Sequence, residues 1–286
     1  MTRFIHDQFA KDYLETLLTP YGTVQAPRRV AGEVRQIDVW FAPNLTLPSR
    51  LGILSQIATT PCILEPYRNP VSIDEICDCL LKLLEVRGEL QRQARREDRS
   101  LQVSTIPHLW ILTPTASSDL CAAFKATSEP NWHPGIYFLG SALRTAIIAI
   151  HQLSATPETL WLRILGRGTV QKQAIDELTA LPVNDSLKQA TLELLYNLQD
   201  NLNLESSQDE DDRELIMRLQ PLYQQKQAQA IQQGERLVVE NILKTRFGEL
   251  DDTLQAIAEA ALTLPPAEFT PLLMQLSQEE LIARFM

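Results

Sequence analysis

The chain predicts a mixed α/β region followed by an all-helical one. Three observations lead there. Alternating apolar segments of strand type are confined to the first half of the 286 residues. From Pro157 onward only three- and four-residue apolar spacing remains. Charge divides in the same way: residues 1–100 are neutral, 101–200 carry −2, and 201–286 carry −8 of the total −10. The expected units are an α/β domain over 1–155, a helical extension packed on it over 156–202, a polar linker and connecting helix over 203–234, and a small helical domain over 235–286.

The elements follow in order. Phe4, Phe9, Tyr13, Leu14, Leu17 and Leu18 recur at helical spacing, and Pro20 and Gly22 end that helix. Glu33–Phe41 alternates as a single strand, with Ile37, Val39 and Phe41 on one face and Gln36, Asp38 and Trp40 on the other. A short helix capped by Ser49 comes next, then the strand Cys62–Pro66, then a long helix starting near Ser72 and running to about Glu97. Strands return at 108–114, 135–140 and 145–153, with a helix near Ser117–Lys125. After Thr156, a cap before a first-turn proline, helices run to about Asn201. The stretch NLNLESSQDEDDRE is the most polar in the chain and reads as a flexible linker. Residues 212–234 read as a solvated connecting helix, and three or four short helices finish the chain.

Composition excludes several classes. No apolar run approaches the roughly 18 residues that span a bilayer, and Asp7, Asp12 and Glu15 rule out a secretory leader at the N-terminus; the expectation is a cytoplasmic protein with no membrane partner. Cys62, Cys77, Cys79 and Cys121 form no CxxC pair and read as buried, reduced side chains. His6, His108, His133 and His151 are scattered, against a zinc site. Trp110, Trp132 and Trp161 read as core or domain-contact aromatics, and His151 as a core histidine. Leu165–Gln171 (LGRGTVQ) has glycines but neither a preceding strand nor a Lys-Ser/Thr ending, so it does not read as a phosphate loop. No G-x-S-x-G elbow is present.

Asp38 and Glu65 fall on what reads as two neighbouring strands. Two carboxylates side by side offer the oxygen ligands that Mg²⁺ prefers, although acids that merely end strands in solvent give the same pattern. Lys82, Arg87, Arg92, Arg95, Arg96 and Arg99 put six positive charges within eighteen residues. Such a face suits a DNA backbone; the competing reading is a solvated helix end laced with i,i+4 pairs. Arg28 and Arg29 stand near the carboxylates in sequence.

HDQFAKDYLETLL, RQIDVWF and ILEPYRN together resemble the opening helix, aspartate strand and glutamate strand of the PD-(D/E)xK nuclease superfamily, within it the recombination-promoting nuclease and transposase-like family. ENILKTRFGELDDTLQAIAEAALTLPPAEFTPLLMQLSQEELIARF resembles a helical C-terminal domain found behind such proteins. The resemblance implies a restriction-endonuclease-like mixed sheet flanked by helices, and a metal-dependent DNA endonuclease. Asp38 and Glu65 would hold Mg²⁺ (or Mn²⁺), with Glu15 as an additional helical acid and the Pro66 carbonyl as a further ligand. Arg28, Arg29, Arg92, Arg95 and Arg96 would contact DNA. The sequence departs from the family where a Lys or Gln is expected: Tyr67 stands there, and a phenol brings no cation to a phosphate. Arg68, or else Arg35, would have to replace it, as a stabiliser of charge rather than a base. The alternative the departure implies is an inactive nuclease-fold scaffold, with a protein partner or self-association through the C-terminal helices.

Overall fold

A computed structural model describes residues 2–30, 35–205 and 208–286. Its elements are helix α1 (Thr2–Leu18), strands β1 (Gly22–Gln25), β2 (Arg28–Val30), β3 (Arg35–Ile37) and β4 (Val39–Pro43), helix α2 (Ile53–Ile57), strand β5 (Cys62–Pro66), helix α3 (Ile73–Arg96), strand β6 (His108–Thr113), helix α4 (Ser118–Ala123), strands β7 (Ile136–Phe138) and β8 (Thr145–Ala149), and helices α5 (Leu160–Arg163), α6 (Gly168–Ala180), α7 (Ser186–Asn203), α8 (Glu210–Phe247), α9 (Asp252–Ala261), α10 (Pro266–Gln275) and α11 (Gln278–Phe285). The expected mixed sheet with flanking helices and a helical C-terminal region is present. The chain divides into two compact units between Leu219 and Gln220, beside Pro221 of α8.

In the first unit, six strands lie in the order β1-β4-β5-β6-β8-β7. The three central strands β5, β6 and β8 run parallel, while β1, β4 and β7 are antiparallel to their neighbours. Central parallel strands are covered on both faces and so carry unbroken apolar runs. CILEP, HLWILT and TAIIA have that character, and the charge of Glu65 stands out against it. Helix α3 buries Ile76, Cys79, Leu83 and Val86 against Ile63, Leu109 and Ile111 of one face. Ser72 starts it with a reciprocal capping box to Glu75. Helix α1 covers the other face, where the Tyr13 hydroxyl donates to the Trp161 carbonyl at 2.8 Å.

Several sequence expectations change. The single strand over 33–41 is two strands broken at Asp38: β3 pairs with β2 in a separate ribbon, whereas β4 pairs with β1 and β5. The break removes one step of alternation, so Ile37 and Trp40 lie in the same apolar cluster rather than on opposite faces. Helix α2 starts at Gly52, not at a Ser49 cap, because Ser49 belongs to a preceding 3₁₀ turn. The last strand ends at Ala149, and a 3₁₀ turn over Ile150–Gln152 replaces its predicted end. Cys62, Cys79 and Cys121 are buried, but Cys77 is exposed. Asp209, Asp211 and Asp212, read as linker, are held in ion pairs.

The second unit has its own core: Val239 and Leu243 of α8, Leu254, Ile257, Ala258 and Ala261 of α9, Phe269 and Leu273 of α10, and Leu281 of α11. Asp251 caps α9, and Ser277 with Glu280 forms a capping box on α11. Among the described residues, no helix is long and apolar enough to cross a membrane.

Gly52 marks where α2 meets the turn before α5. Its φ is +56°, and a Cβ there would stand 2.0 Å from the Glu158 carbonyl oxygen. Gly52→Ala should therefore lose about 2 kcal/mol or more of stability in urea unfolding. Gly140→Ala, with no atom within 4 Å of the new Cβ, should stay within about 0.5 kcal/mol.

Candidate functional site

The break at Asp38 builds the site. With Val39 opposite Leu64 across the β4–β5 ladder, Asp38 continues toward Glu65. Its backbone N–H, freed from the ladder by the bend, donates to Glu65 Oε1 at 3.3 Å. The Glu65 side chain is 1% exposed, between β4 and β6 and beneath α3. A carboxylate that deep needs a counter-charge. Lys82 of α3 supplies it, its Nζ 2.6 Å from Glu65 Oε2. Lys11 of α1 pairs with Asp38 at 2.7 Å.

Burial, then the nearby Asp38 charge, push the Glu65 carboxyl up to about 8, while Lys82 pulls it back. Burial works against the Lys82 ammonium too, but the Glu65 charge and hydrogen bond prevail and hold its pKa above the ordinary lysine value. Lys82 therefore stays cationic at neutral pH.

Arg68 is not beside the carboxylates. Successive strand residues point to opposite faces, so Glu65 and Tyr67 share the α3 side, while Arg68 lies opposite and binds Asp212 at 2.8 Å. Its predicted role at Glu65 is thereby corrected. Tyr67 packs into the α3-side core with its hydroxyl hydrogen-bonded to Cys79 Sγ at 3.1 Å. Lys82 is the cation that sequence reading assigned to a solvent-facing basic helix. A signal was available: it stands three residues after Cys79 and four before Val86, both buried, at the border of the α3 apolar stripe.

Glu15 is half-buried on α1. Among the described residues, no three His, Cys, Asp or Glu side chains gather at metal-binding spacing, so Glu15 does not complete a triad with Asp38 and Glu65. Arg28 stacks on Trp40, its Cζ 4.0 Å from the ring centroid, and pairs across the ribbon with Ile37, beside Asp38. Arg29 has its backbone in β2, and its side chain lies outside the described residues, as does that of Arg35. Arg92, Arg95 and Arg96 are exposed on the last turns of α3, apart from the inward-turned Lys82.

The buried Glu65 titrates against Lys82, which fixes a pH signature. A folded carboxyl raised toward 8 favours the folded state fully below the ordinary value of 4.5, and that contribution is lost as pH rises through about 8. Lys82→Met removes the counter-charge and raises Glu65 further. The variant should match the parent protein near pH 5 and fall behind by about 1–3 kcal/mol above pH 8; a difference independent of pH in urea melts would contradict the pairing.

No protein-family model, curated protein or solved structure matches the chain.

Proposed function

We propose that the chain is a metal-dependent DNA endonuclease of the PD-(D/E)xK type, with a restriction-endonuclease-like sheet, Asp38 and Glu65 as the metal-holding pair, and Lys82 in the role of the motif lysine. The observation that carries this reading is the 2.6 Å approach of Lys82 to Glu65 beside Asp38: a strand acid, a neighbouring acid and a lysine in one largely buried cluster. The donor set fits a hard divalent cation, since Mg²⁺ commonly takes only one or two protein carboxylates and fills its remaining positions with water and substrate phosphate. The charge of Asp38 acts on Glu65 and raises its pKa, a like-charge strain that a shared cation relieves.

Each residue then has a task. Asp38 and Glu65 would hold Mg²⁺ or Mn²⁺, which supplies phosphate charge neutralisation and an acidified water when bound. Lys82, held cationic, steadies the charge developing on the phosphoryl oxygens and is not a proton acceptor. Arg28, stiffened by its stack on Trp40, and the exposed Arg92, Arg95 and Arg96 supply backbone contacts for DNA, salt-sensitive because they act through counterion release.

A second reading, a nuclease-fold scaffold without activity, is favoured by one specific observation: each carboxylate already has its own ammonium, Lys11 for Asp38 and Lys82 for Glu65, so the cluster is electrostatically self-sufficient.

Plasmid incubated with Mg²⁺ or Mn²⁺ distinguishes the two. The nuclease reading expects cleavage that drops about 100-fold or more in Asp38→Ala, Glu65→Gln and Lys82→Met and persists in Tyr67→Phe. Cleavage surviving in the first two, or absent from the parent protein, overturns it. Because Glu65 must release a proton to hold a cation, Mn²⁺ affinity measured by calorimetry should strengthen as pH rises toward about 8.

A further inference from the structure

On the face of β5 opposite Glu65, a second polar cluster joins α1, the end of β5, the start of α6 and the start of α8. Arg167, immediately before α6, donates through Nε to Asp211 Oδ2 at 2.9 Å, through one terminal nitrogen to Asp209 Oδ2 at 2.9 Å, and through the other to Asn69 Oδ1 at 2.7 Å. Its backbone N–H donates to His151 Nε2 at 3.0 Å. Arg68, whose side chain is 7% exposed, binds Asp212 Oδ1 at 2.8 Å, and His6 meets the same oxygen at 2.8 Å.

The geometry is that of an anion site with carboxylates in it. Helix α6, thirteen residues long, begins at Gly168 with φ +52°, and a Cβ on Gly168 would lie 3.0 Å from Asp211 Oδ1. The missing side chain thus lets a carboxylate settle against a helix N-terminus, where amide N–H groups and the helix dipole favour negative charge. Two guanidinium groups stand close enough that the Arg167 charge, after burial, lowers the Arg68 pKa. The charges of Asp212, Asp209 and Asp211 offset that repulsion. The occupant fits incompletely: Asp212 is held by one oxygen, while its Oδ2 is buried with no hydrogen-bond partner among the described residues. Beside the cluster, a cavity of about 20 Å³ is lined by His6, Arg68 and Gly166.

We propose that the α6 N-terminus with Arg167, Arg68 and Asn69 is a binding site for phosphate groups, occupied in this structure by Asp209, Asp211 and Asp212 of α8, so that the chain carries its own competitor for that ligand. Guanidinium forks and helix N-termini both recognise phosphate oxygens, and a run of aspartates reproduces the negative charge of a phosphate chain. The site is separate from the Asp38–Glu65 cluster and does not depend on the nuclease reading.

The test uses the full chain, inorganic pyrophosphate and a short DNA duplex. Asp209 also caps α8, donating nothing but accepting the Asp212 N–H at 2.8 Å; asparagine keeps that cap while removing charge. Asp209→Asn/Asp211→Asn should bind pyrophosphate about tenfold or more tightly than the parent protein by calorimetry, and adding Arg167→Gln should abolish the gain. Duplex DNA displacing pyrophosphate would identify a nucleic-acid backbone as the ligand; failure to displace it would identify a free phosphate compound. No gain in a variant with parental circular dichroism overturns the proposal. Should the variant not fold, the parent protein decides: saturating pyrophosphate should speed hydrogen exchange over residues 210–219 where sodium chloride of equal ionic strength does not, and equal exchange in both overturns it.

Discussion

The first unit is organised around one buried carboxylate. Glu65 is the fourth of the five consecutive buried positions of β5, which lies between β4 and β6, where an isolated charge is strongly disfavoured. Three features of the fold answer that charge. The strand preceding β4 bends at Asp38 and turns a backbone N–H toward Glu65. Helix α3 is seated so that Lys82 reaches inward while Cys79, Leu83 and Val86 fill the space around it. Tyr67, two residues on and on the same side, closes the far end through its contact with Cys79. Replacing Glu65 by an apolar residue would simplify the core, because a buried pair seldom stabilises more than well-packed hydrophobes.

Much of this was legible in the sequence, and the unread part has a common physical cause. The strand Cys62–Pro66 and the helix Ile73–Arg96 emerged with their observed ends because local signals define them: an apolar run closed by proline, and a Ser72–Glu75 capping box. The pairing of Asp38 with Glu65 followed from their strands being neighbours. The break at Asp38 did not, because the alternation of RQIDVWF looks continuous and only the competing partners of the two halves, β2 for one and β5 for the other, divide it. Lys82 was hidden for a similar reason. Six cations in eighteen residues suggest one charged face, whereas helical spacing places the first of them at the margin of the buried stripe.

The acidic segment 209–212 shows the limit of reading charge as solvation. A run of aspartates is disordered when nothing nearby bears opposite charge. Here Arg68, Arg167 and His6 come from 42 to 206 residues away in sequence, and none is visible to a local reading. Burial opposes ionisation of Asp212, yet His6 and Arg68 outweigh it and keep its pKa below the ordinary carboxylate value. The net charge of −10 therefore overstates the acidity presented to a partner, since part of it is neutralised internally.

Strand periodicity links the two polar clusters. Because the side-chain period is two, the four residues Glu65–Arg68 deliver an acid and a phenol to the α3 side and an arginine to the α1 side from one strand end. The Tyr67 N–H donates to the Leu112 carbonyl at 2.7 Å, which keeps the chain in register with β6 one residue past β5. That hydrogen bond holds the alternation through to Arg68. A one-residue slip would bring Arg68 toward Lys82 and Glu65 toward His6, placing like charges together on one side and leaving Asp212 without its guanidinium on the other. Register at this strand end is thus fixed electrostatically on both faces, with the α8 aspartates as much a part of the constraint as Lys82.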